Sequence, residues 1–223
     1  MKAIILSAGR GERMQPLTNS TPKPLLVAGG RSLIEHTIKA LVSAGINNIV
    51  INYAHLGEQF PSKLGDGSKY NATIEYSNEQ GGRLETAGGI VNALPLLGDA
   101  PFLVVNGDIW TDYPFQELKK TKLNSKILCH LVLVKNPDHN PKGDFSLTSG
   151  LLSQTEQNKF TYSGIGIYHP SLFANLKLEP KPLKPLLLSA IATQQASGEF
   201  YPGQWFDIGT VERLDALSNH LKR

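Results

Sequence analysis

Short, fully apolar runs alternate with amphipathic stretches through the first half of the chain. Ala3-Ile4-Ile5-Leu6, Ile49-Val50-Ile51 and Phe102-Leu103-Val104-Val105 carry apolar residues at consecutive positions, with no polar alternation. Such runs predict strands buried on both faces, as in a parallel sheet. The predicted strands span 2–7, 48–53, 73–77 and 102–105. Between them the period changes to that of a helix. Leu33, Ile34, Thr37, Ile38, Leu41 and Val42 fall on one helical face. Ser32 and Glu35 open that segment with capping-box spacing, and Gly45 closes it. A short helix is predicted over 56–64, and another over 85–97 with Gly88 and Gly89 in its first turns. Strand-helix alternation with apolar strands predicts an α/β fold built on a doubly wound, mostly parallel sheet.

The second half is richer in strands. Strands are predicted over 126–135, 142–147, 160–168 and 199–206, and helices over 171–175, 183–196 and 211–221. Pro180, Pro182 and Pro185, interleaved with Lys181 and Lys184, read as a solvated connector. The expectation is a small antiparallel lobe on the same sheet, within a single domain of residues 1–223. No internal repeat or low-complexity segment interrupts it.

Composition adds mainly exclusions. The 223 residues carry a formal net charge of +3, with no Lys/Arg block, so nothing points to nucleic acid. No stretch approaches the roughly 20 apolar residues of a membrane span. Met1-Lys2 runs directly into a strand, so no signal peptide is expected and a cytoplasmic protein is. The one cysteine, Cys129, lies in an apolar run and reads as a core thiol. The histidines show no metal-ligand spacing, and no Ser-His-Asp arrangement is indicated.

The candidate chemistry begins after the first strand. Residues 6–24, LSAGRGERMQPLTNSTPKP, place Ala8, Gly9 and Gly11 at a strand tip. Glycines let backbone approach a ligand closely, and their N–H groups can form an anion cradle. Arg13 and Lys23 add two cations. The loop satisfies neither standard glycine fingerprint. Met14 stands where the third glycine of a dinucleotide motif would fall, and no Gly-Lys-Ser/Thr follows. Ligands of open α/β sheets lie beyond the carboxyl ends of the strands. The loops at 9–13 and 78–82 and Asp108 should therefore converge on one crevice. Asp108 ends a buried strand, and Asp207 precedes Ile208-Gly209-Thr210 at the start of the last helix. Each alone reads as a cap or turn residue. Together they suggest a Mg²⁺ site, since Mg²⁺ takes one or two carboxylates plus phosphate oxygens.

These stretches resemble the signature of the sugar-1-phosphate nucleotidyltransferases. The matching residues are Ala8-Gly9, Gly11-Glu12-Arg13, Pro16-Leu17-Thr18 and Pro22-Lys23-Pro24. Leu84-Glu85-Thr86-Ala87-Gly88, Asn106-Gly107-Asp108, Phe145, Tyr162-Ser163-Gly164-Ile165 and Trp205-Phe206-Asp207-Ile208-Gly209-Thr210 follow in the family's order. Within the family, the compact length, Leu84-Glu85-Thr86 and Gly143-Asp144-Phe145 resemble the N-acetylmuramate-1-phosphate uridylyltransferases of cell-wall sugar recycling. Glucose-type members carry an adjacent Glu-Lys pair; here Glu156 and Lys159 stand apart.

The resemblance implies a nucleotide-binding half, 1–125, and a sugar-binding half, 126–223. It implies UTP and a sugar 1-phosphate as substrates, Mg²⁺ on Asp108 and Asp207, and Arg13 and Lys23 as catalytic cations. Ala8, Gly9, Gly11, Glu12, Glu79, Gln80 and Gly88 would join Arg13 and Lys23 around the nucleotide. Asn106, Gly143, Glu156, Ser163, Gly164 and Asp207 would face the sugar phosphate. Small-molecule partners and a monomer or small homo-oligomer are expected. Three rivals stay open: glucose- or mannose-1-phosphate with UTP, dTTP or GTP; a non-catalytic nucleotide-sugar sensor; and a dinucleotide-binding oxidoreductase.

Overall fold

A computed structural model describes residues 1–223 except Gln80, Gly81, Lys122, Asn124, Ser125, Glu156 and Arg223. The nucleotide role expected of Gln80 and the sugar role expected of Glu156 therefore lie outside the described residues. The first half runs β1 (Ala3–Leu6), β2 (Val27–Ala28), β3 (Arg31–Ser32), α1 (Leu33–Ser43), β4 (Asn48–Tyr53), α2 (Gln59–Leu64) and β5 (Thr73–Asn78). It continues through α3 (Glu85–Leu97), β6 (Phe102–Asn106), β7 (Ile109–Thr111) and α4 (Phe115–Leu118). The second half runs β8 (Cys129–Val134), β9 (Phe145–Thr148), β10 (Leu151–Ser153) and β11 (Lys159–Tyr168). It ends with α5 (Lys184–Ala192), β12 (Ala196–Tyr201), β13 (Trp205–Asp207) and α6 (Val211–His220).

One mixed sheet of nine strands carries the molecule, in the order β5-β4-β1-β6-β11-β8-β12-β10-β9. The β5-β4-β1-β6 segment is parallel, and β11 then joins antiparallel between β6 and β8. The second-half strands thus extend the main sheet. They also curl, because the start of β11 pairs with β9. Consecutive apolar residues of the central strands face opposite layers. Ile5, Ile49 and Ile51 pack with Ile34, Ile38 and Leu41 of α1. Ile4, Val50 and Val104 pack with Ala87, Ile90 and Ala93 of α3 and with Leu187 and Ile191 of α5. Cys129 is fully buried in that second layer, and burial pushes its thiol up to about 12. A third cluster joins Met14 of the first loop to Ile208 and to Leu214 and Leu217 of α6. No helix among the described residues is long and apolar enough to cross a membrane.

The strand order reverses beside β1. The chain places β4 and β5 on one side of it, then crosses to β6 on the other. Leu6 of β1 lies opposite Asn106 of β6, so the loops after both strands open side by side. Such a reversal leaves a crevice at the carboxyl ends of the strands.

Several boundaries differ from the sequence expectation. The strand expected over 199–206 is two strands. β12 pairs with β8 in the main sheet, and β13 pairs with β7 in a separate ribbon. Pro202 and Gly203 lie between them, where Pro cannot donate to a ladder. The helix expected over 183–196 stops at Ala192, with Gln194 left-handed, and Ala196 already belongs to β12. The expected 56–64 helix begins only at Gln59, after Leu56 at a positive φ. The β2-β3 hairpin turns on Gly29 and Gly30, at φ of 59° and 83°. Two successive positive φ values are what a tight hairpin turn requires.

The predicted capping box is formed. Glu35 Oε2 accepts from the Ser32 backbone N–H at 3.0 Å and from the Ser32 hydroxyl at 2.6 Å. Tyr70 donates to the other carboxylate oxygen at 2.9 Å. Burial alone would raise the Glu35 carboxyl, but the bonds from Ser32 and Tyr70 outweigh it and hold it near 2, against an ordinary 4.5. A depressed carboxyl stabilises the fold above its unfolded pKa, and that contribution fades as pH falls toward the folded value. Glu35→Gln should therefore lower unfolding free energy by about 1 kcal/mol near neutral pH. In urea titrations the deficit should shrink between pH 4.5 and 2, since the native protein loses the same charge there.

Candidate active site

The first loop lies at the end of β1 and folds back on itself. Gly11 has φ +66°, and an added side-chain carbon would meet Thr18 Cγ2 at 2.9 Å and Lys23 Cβ at 3.1 Å. The Thr18 hydroxyl donates to the Gly11 carbonyl at 2.9 Å. The loop is thereby closed over Lys23, whose Nζ lies 2.5 Å from Asp108 Oδ2. Gly9 has open space where a side chain would be. A cleft beneath the loop is lined by Ser7, Ala8, Gly9, Gly11, Lys23, Asn52, Glu79, Arg83, Glu85, Thr86, Asn106 and Asp108. It is the crevice implied by the reversal at β1.

A hydrogen-bonded chain fixes one wall. Asn52, a polar residue in the buried strand β4, accepts from the Ser7 backbone N–H at 2.8 Å and donates to Glu79 Oε1 at 2.7 Å. Glu79 Oε2 accepts from the Leu84 backbone N–H at 2.9 Å, just ahead of α3. Burial raises the Glu79 carboxyl against these donors. Gly89 makes room for the pair, since an added carbon would lie 2.5 Å from Glu79 Oε1. Glu79 thus both lines the cleft and braces it. Asn52 went unnoticed in the sequence, although a polar side chain inside the apolar 48–53 run was a legible signal.

The β7-β13 ribbon brings the second carboxylate across. Asp207 stands opposite Ile109, and the Ile208 backbone N–H donates to the Asp108 carbonyl at 2.8 Å. Residues separated by a hundred positions thus have adjoining backbone. Arg213 of α6 donates through Nη1 to Asp207 Oδ1, and His139 Nε2 lies 3.2 Å from Oδ2. Each acid is therefore matched by a cation of this chain: Asp108 by Lys23, Asp207 by Arg213. Among the described residues no group of three His, Cys, Asp or Glu side chains gathers as a metal cage. Two carboxylates on adjoining segments still fit Mg²⁺, which binds through one or two carboxylates and completes its shell with phosphate and water.

The other expected residues divide. Arg13 is exposed, with its guanidinium beside Gly209. Glu12 lines a separate pocket with Arg10 and His55. Gly88 is buried in α3, where an added carbon would lie 2.4 Å from the Glu179 carbonyl oxygen, and its N–H donates to Lys181. Its smallness admits the connector before α5. Gly143, at φ +64°, serves a turn crowded by Asn136 and Lys159. The Ser163 hydroxyl donates to the Val132 carbonyl at 2.7 Å and is buried at the irregularity in β11. Gly164, at φ +81°, lets β11 abut Asn106, where an added carbon would lie 2.5 Å from Nδ2. A second pocket shares Thr86 and Asn106 with the cleft and adds Asp144, Phe145, Tyr162 and Lys184 from the second half. Asp144 and Lys184 were not anticipated.

The model of the family described as nucleotidyl transferase matches residues 2–145. The chain belongs to that family. This nucleotidyl transferase is 50% identical over 220 residues to N-acetylmuramate alpha-1-phosphate uridylyltransferase of Neisseria meningitidis serogroup B, covering 96% of this chain and 95% of that one. It is 33% identical to a mannose-1-phosphate guanyltransferase of Hypocrea jecorina, spanning 94% of itself and 61% of that protein. Among solved structures, a putative glucose-1-phosphate thymidylyltransferase from Bacillus anthracis superposes with a TM-score of 0.87 over all of this chain and 95% of that one, at 20% identity. That likeness concerns the fold.

Asn52→Ala would remove the acceptor of the Ser7 N–H and one donor to Glu79. Leaving buried polar groups unpaired costs about 1–3 kcal/mol each. The nucleotidyl transferase carrying it should lose at least about 2 kcal/mol of unfolding free energy. Denaturant titration checks this, and wild-type stability would show that the brace carries no weight.

Proposed function

We propose that this nucleotidyl transferase is a uridylyltransferase that joins UTP and N-acetylmuramate 1-phosphate to give UDP-N-acetylmuramate and pyrophosphate. The observation that carries the reaction class is the meeting of the glycine loop, Lys23 and Asp108 in one cleft at the β1-β6 reversal. The near full-length relative supports the choice of base and sugar. The product suits peptidoglycan recycling in the cytoplasm. The mannose reading stays second, on the 33% identity to the guanyltransferase.

The reaction needs two anions to meet. A phosphate oxygen of the sugar 1-phosphate attacks the α-phosphorus of UTP, forming a P–O bond as the bond to the pyrophosphate leaving group breaks. A phosphate monoester is already ionised near neutral pH, so no general base is needed. Catalysis is positioning and charge stabilisation. The open backbone at Gly9, with Gly11 behind it, would place N–H groups on the triphosphate. Lys23 would leave Asp108 to bind the α-phosphate and the incoming phosphate. Arg13 would hold the β- and γ-phosphates through its planar fork. Asp108 and Asp207 would hold Mg²⁺, which when bound neutralises phosphate charge. Residues 1–125 would bind the nucleotide. The sugar would lie toward the second pocket, where residues 126–223 contribute Asp144, Phe145, Tyr162 and Lys184.

A matrix of nucleoside triphosphates against sugar 1-phosphates, scored by pyrophosphate release, tests the reading. UTP with N-acetylmuramate 1-phosphate should be fastest; GTP with mannose 1-phosphate leading would replace it with the second reading. No release from any pair would favour a sensor. Lys23→Ala should lower turnover by about 100-fold or more, the scale of losing a contact to transition-state charge. Asp108→Asn and Asp207→Asn should each abolish Mg²⁺-dependent release while keeping the wild-type melting profile.

A further inference from the structure

Arg213 belongs to none of the motifs that carry the family resemblance. It lies in the first turn of α6, where its backbone N–H is capped by the Thr210 hydroxyl at 3.4 Å. Its two terminal nitrogens do different things. Nη1 donates to Asp207 and lies 3.1 Å from His139 Nε2. Nη2 points the other way, over Gly209. A side-chain carbon added at Gly209 would lie 2.6 Å from Arg213 Nη2 and 3.3 Å from Arg13 Nη2. Two guanidinium groups, from opposite ends of the chain, thus reach into the same small volume. The absence of a side chain at Gly209 keeps that volume open. Neither Nη2 has a hydrogen-bond acceptor among the described residues.

Like charges converge at some cost unless an anion lies between them. Asp207 answers Arg213 on one side only, and no acid among the described residues answers Arg13. The anion that fits is one with several phosphate oxygens, since two planar forks can each grip a different pair. We propose that Arg213 is a phosphate-binding residue that closes with Arg13 on the pyrophosphate portion of the nucleoside triphosphate. This rests on the reading that a triphosphate enters this cleft. Its geometry also gives Arg213 two states. With Asp207 unliganded, Nη1 is held by that carboxylate. Were Asp207 to hold the divalent cation instead, both nitrogens would be free for phosphate. Once pyrophosphate and cation had left, Asp207 would take Arg213 back.

The test is calorimetric binding of inorganic pyrophosphate to the full chain in EDTA, which needs neither turnover nor the correct sugar. Arg213→Gln should weaken binding threefold or more. Arg213→Lys is the sharper variant. It keeps the charge and can keep the Asp207 pair, but it has one nitrogen and cannot serve both sides of Gly209. It should also weaken binding threefold or more, and it decides the matter if the Gln variant does not fold. With Mg²⁺ present, the Lys variant should raise KM for the triphosphate more than KM for the sugar phosphate. Pyrophosphate binding by Arg213→Lys within threefold of wild type would overturn the proposal. Arg213-dependent binding in a chain that releases no pyrophosphate from any substrate pair would support the clamp and sink the transferase reading alone.

Discussion

The register between β1 and β6 is the constraint on which the cleft depends. Leu6 faces Asn106, and the strands leave the sheet side by side. Both are apolar on each face, so a slip of one residue would exchange the two buried layers. Because that cost is spread over Ile4, Ile5, Val104 and Val105, the register is held far from the cleft itself. The glycine loop then begins beside the turn that carries Asp108. The Gly107 N–H seals the junction by donating to the Leu6 carbonyl at 2.9 Å. The second acid depends on the first through the β7-β13 ribbon, and α6 is seated by Met14 of the same loop.

The electrostatics follow from this placement. A cleft that takes two phosphate groups, as proposed, would need positive charge, and the proposed divalent cation would need carboxylates; both would have to coexist when neither ligand is bound. Here they neutralise one another in pairs, Lys23 with Asp108 and Arg213 with Asp207. Such partly exposed pairs are worth little to stability, commonly about 0–1 kcal/mol. That weakness suits them to exchange. On the proposed function, Lys23 and Arg213 would leave their acids for phosphate, and Asp108 and Asp207 would then be free to hold the divalent cation. The polar brace of Ser7, Asn52 and Glu79 shows the opposite design. Its groups are buried and hydrogen-bonded to one another, and they fix one wall of the cleft.

What could be read from the sequence was what local pattern determines. The apolar strands 3–6, 48–53 and 102–106, the Ser32-Glu35 cap and the α3 helix stand where periodicity places them. The convergence of the first loop and Asp108 followed from a rule about strand ends. The rest depended on long-range pairing. Nothing local says that 196–201 joins the main sheet while 205–207 joins β7, though Pro202-Gly203 marked a break. Glycines met a demand that the sequence hid for a related reason. Gly88, Gly143 and Gly164 sit in motifs, but their smallness answers backbone or side chains brought from elsewhere: Glu179, Asn136 and Asn106. Ser163 was legible as a motif residue and illegible as a donor within the sheet. Arg213 could not be singled out at all, because only folding sets it across Gly209 from Arg13.

On the proposed function, the two acid-cation pairs would open as ligands enter. The most direct measurement is a crystal structure of the chain with Mg²⁺ and a non-hydrolysable UTP analogue. Asp108 and Asp207 oxygens should lie about 2.0–2.1 Å from the metal. Lys23 Nζ should lie on a phosphate oxygen and away from Asp108. A complex that holds the nucleotide while Lys23 stays paired with Asp108, and the metal binds elsewhere, would contradict the proposed opening.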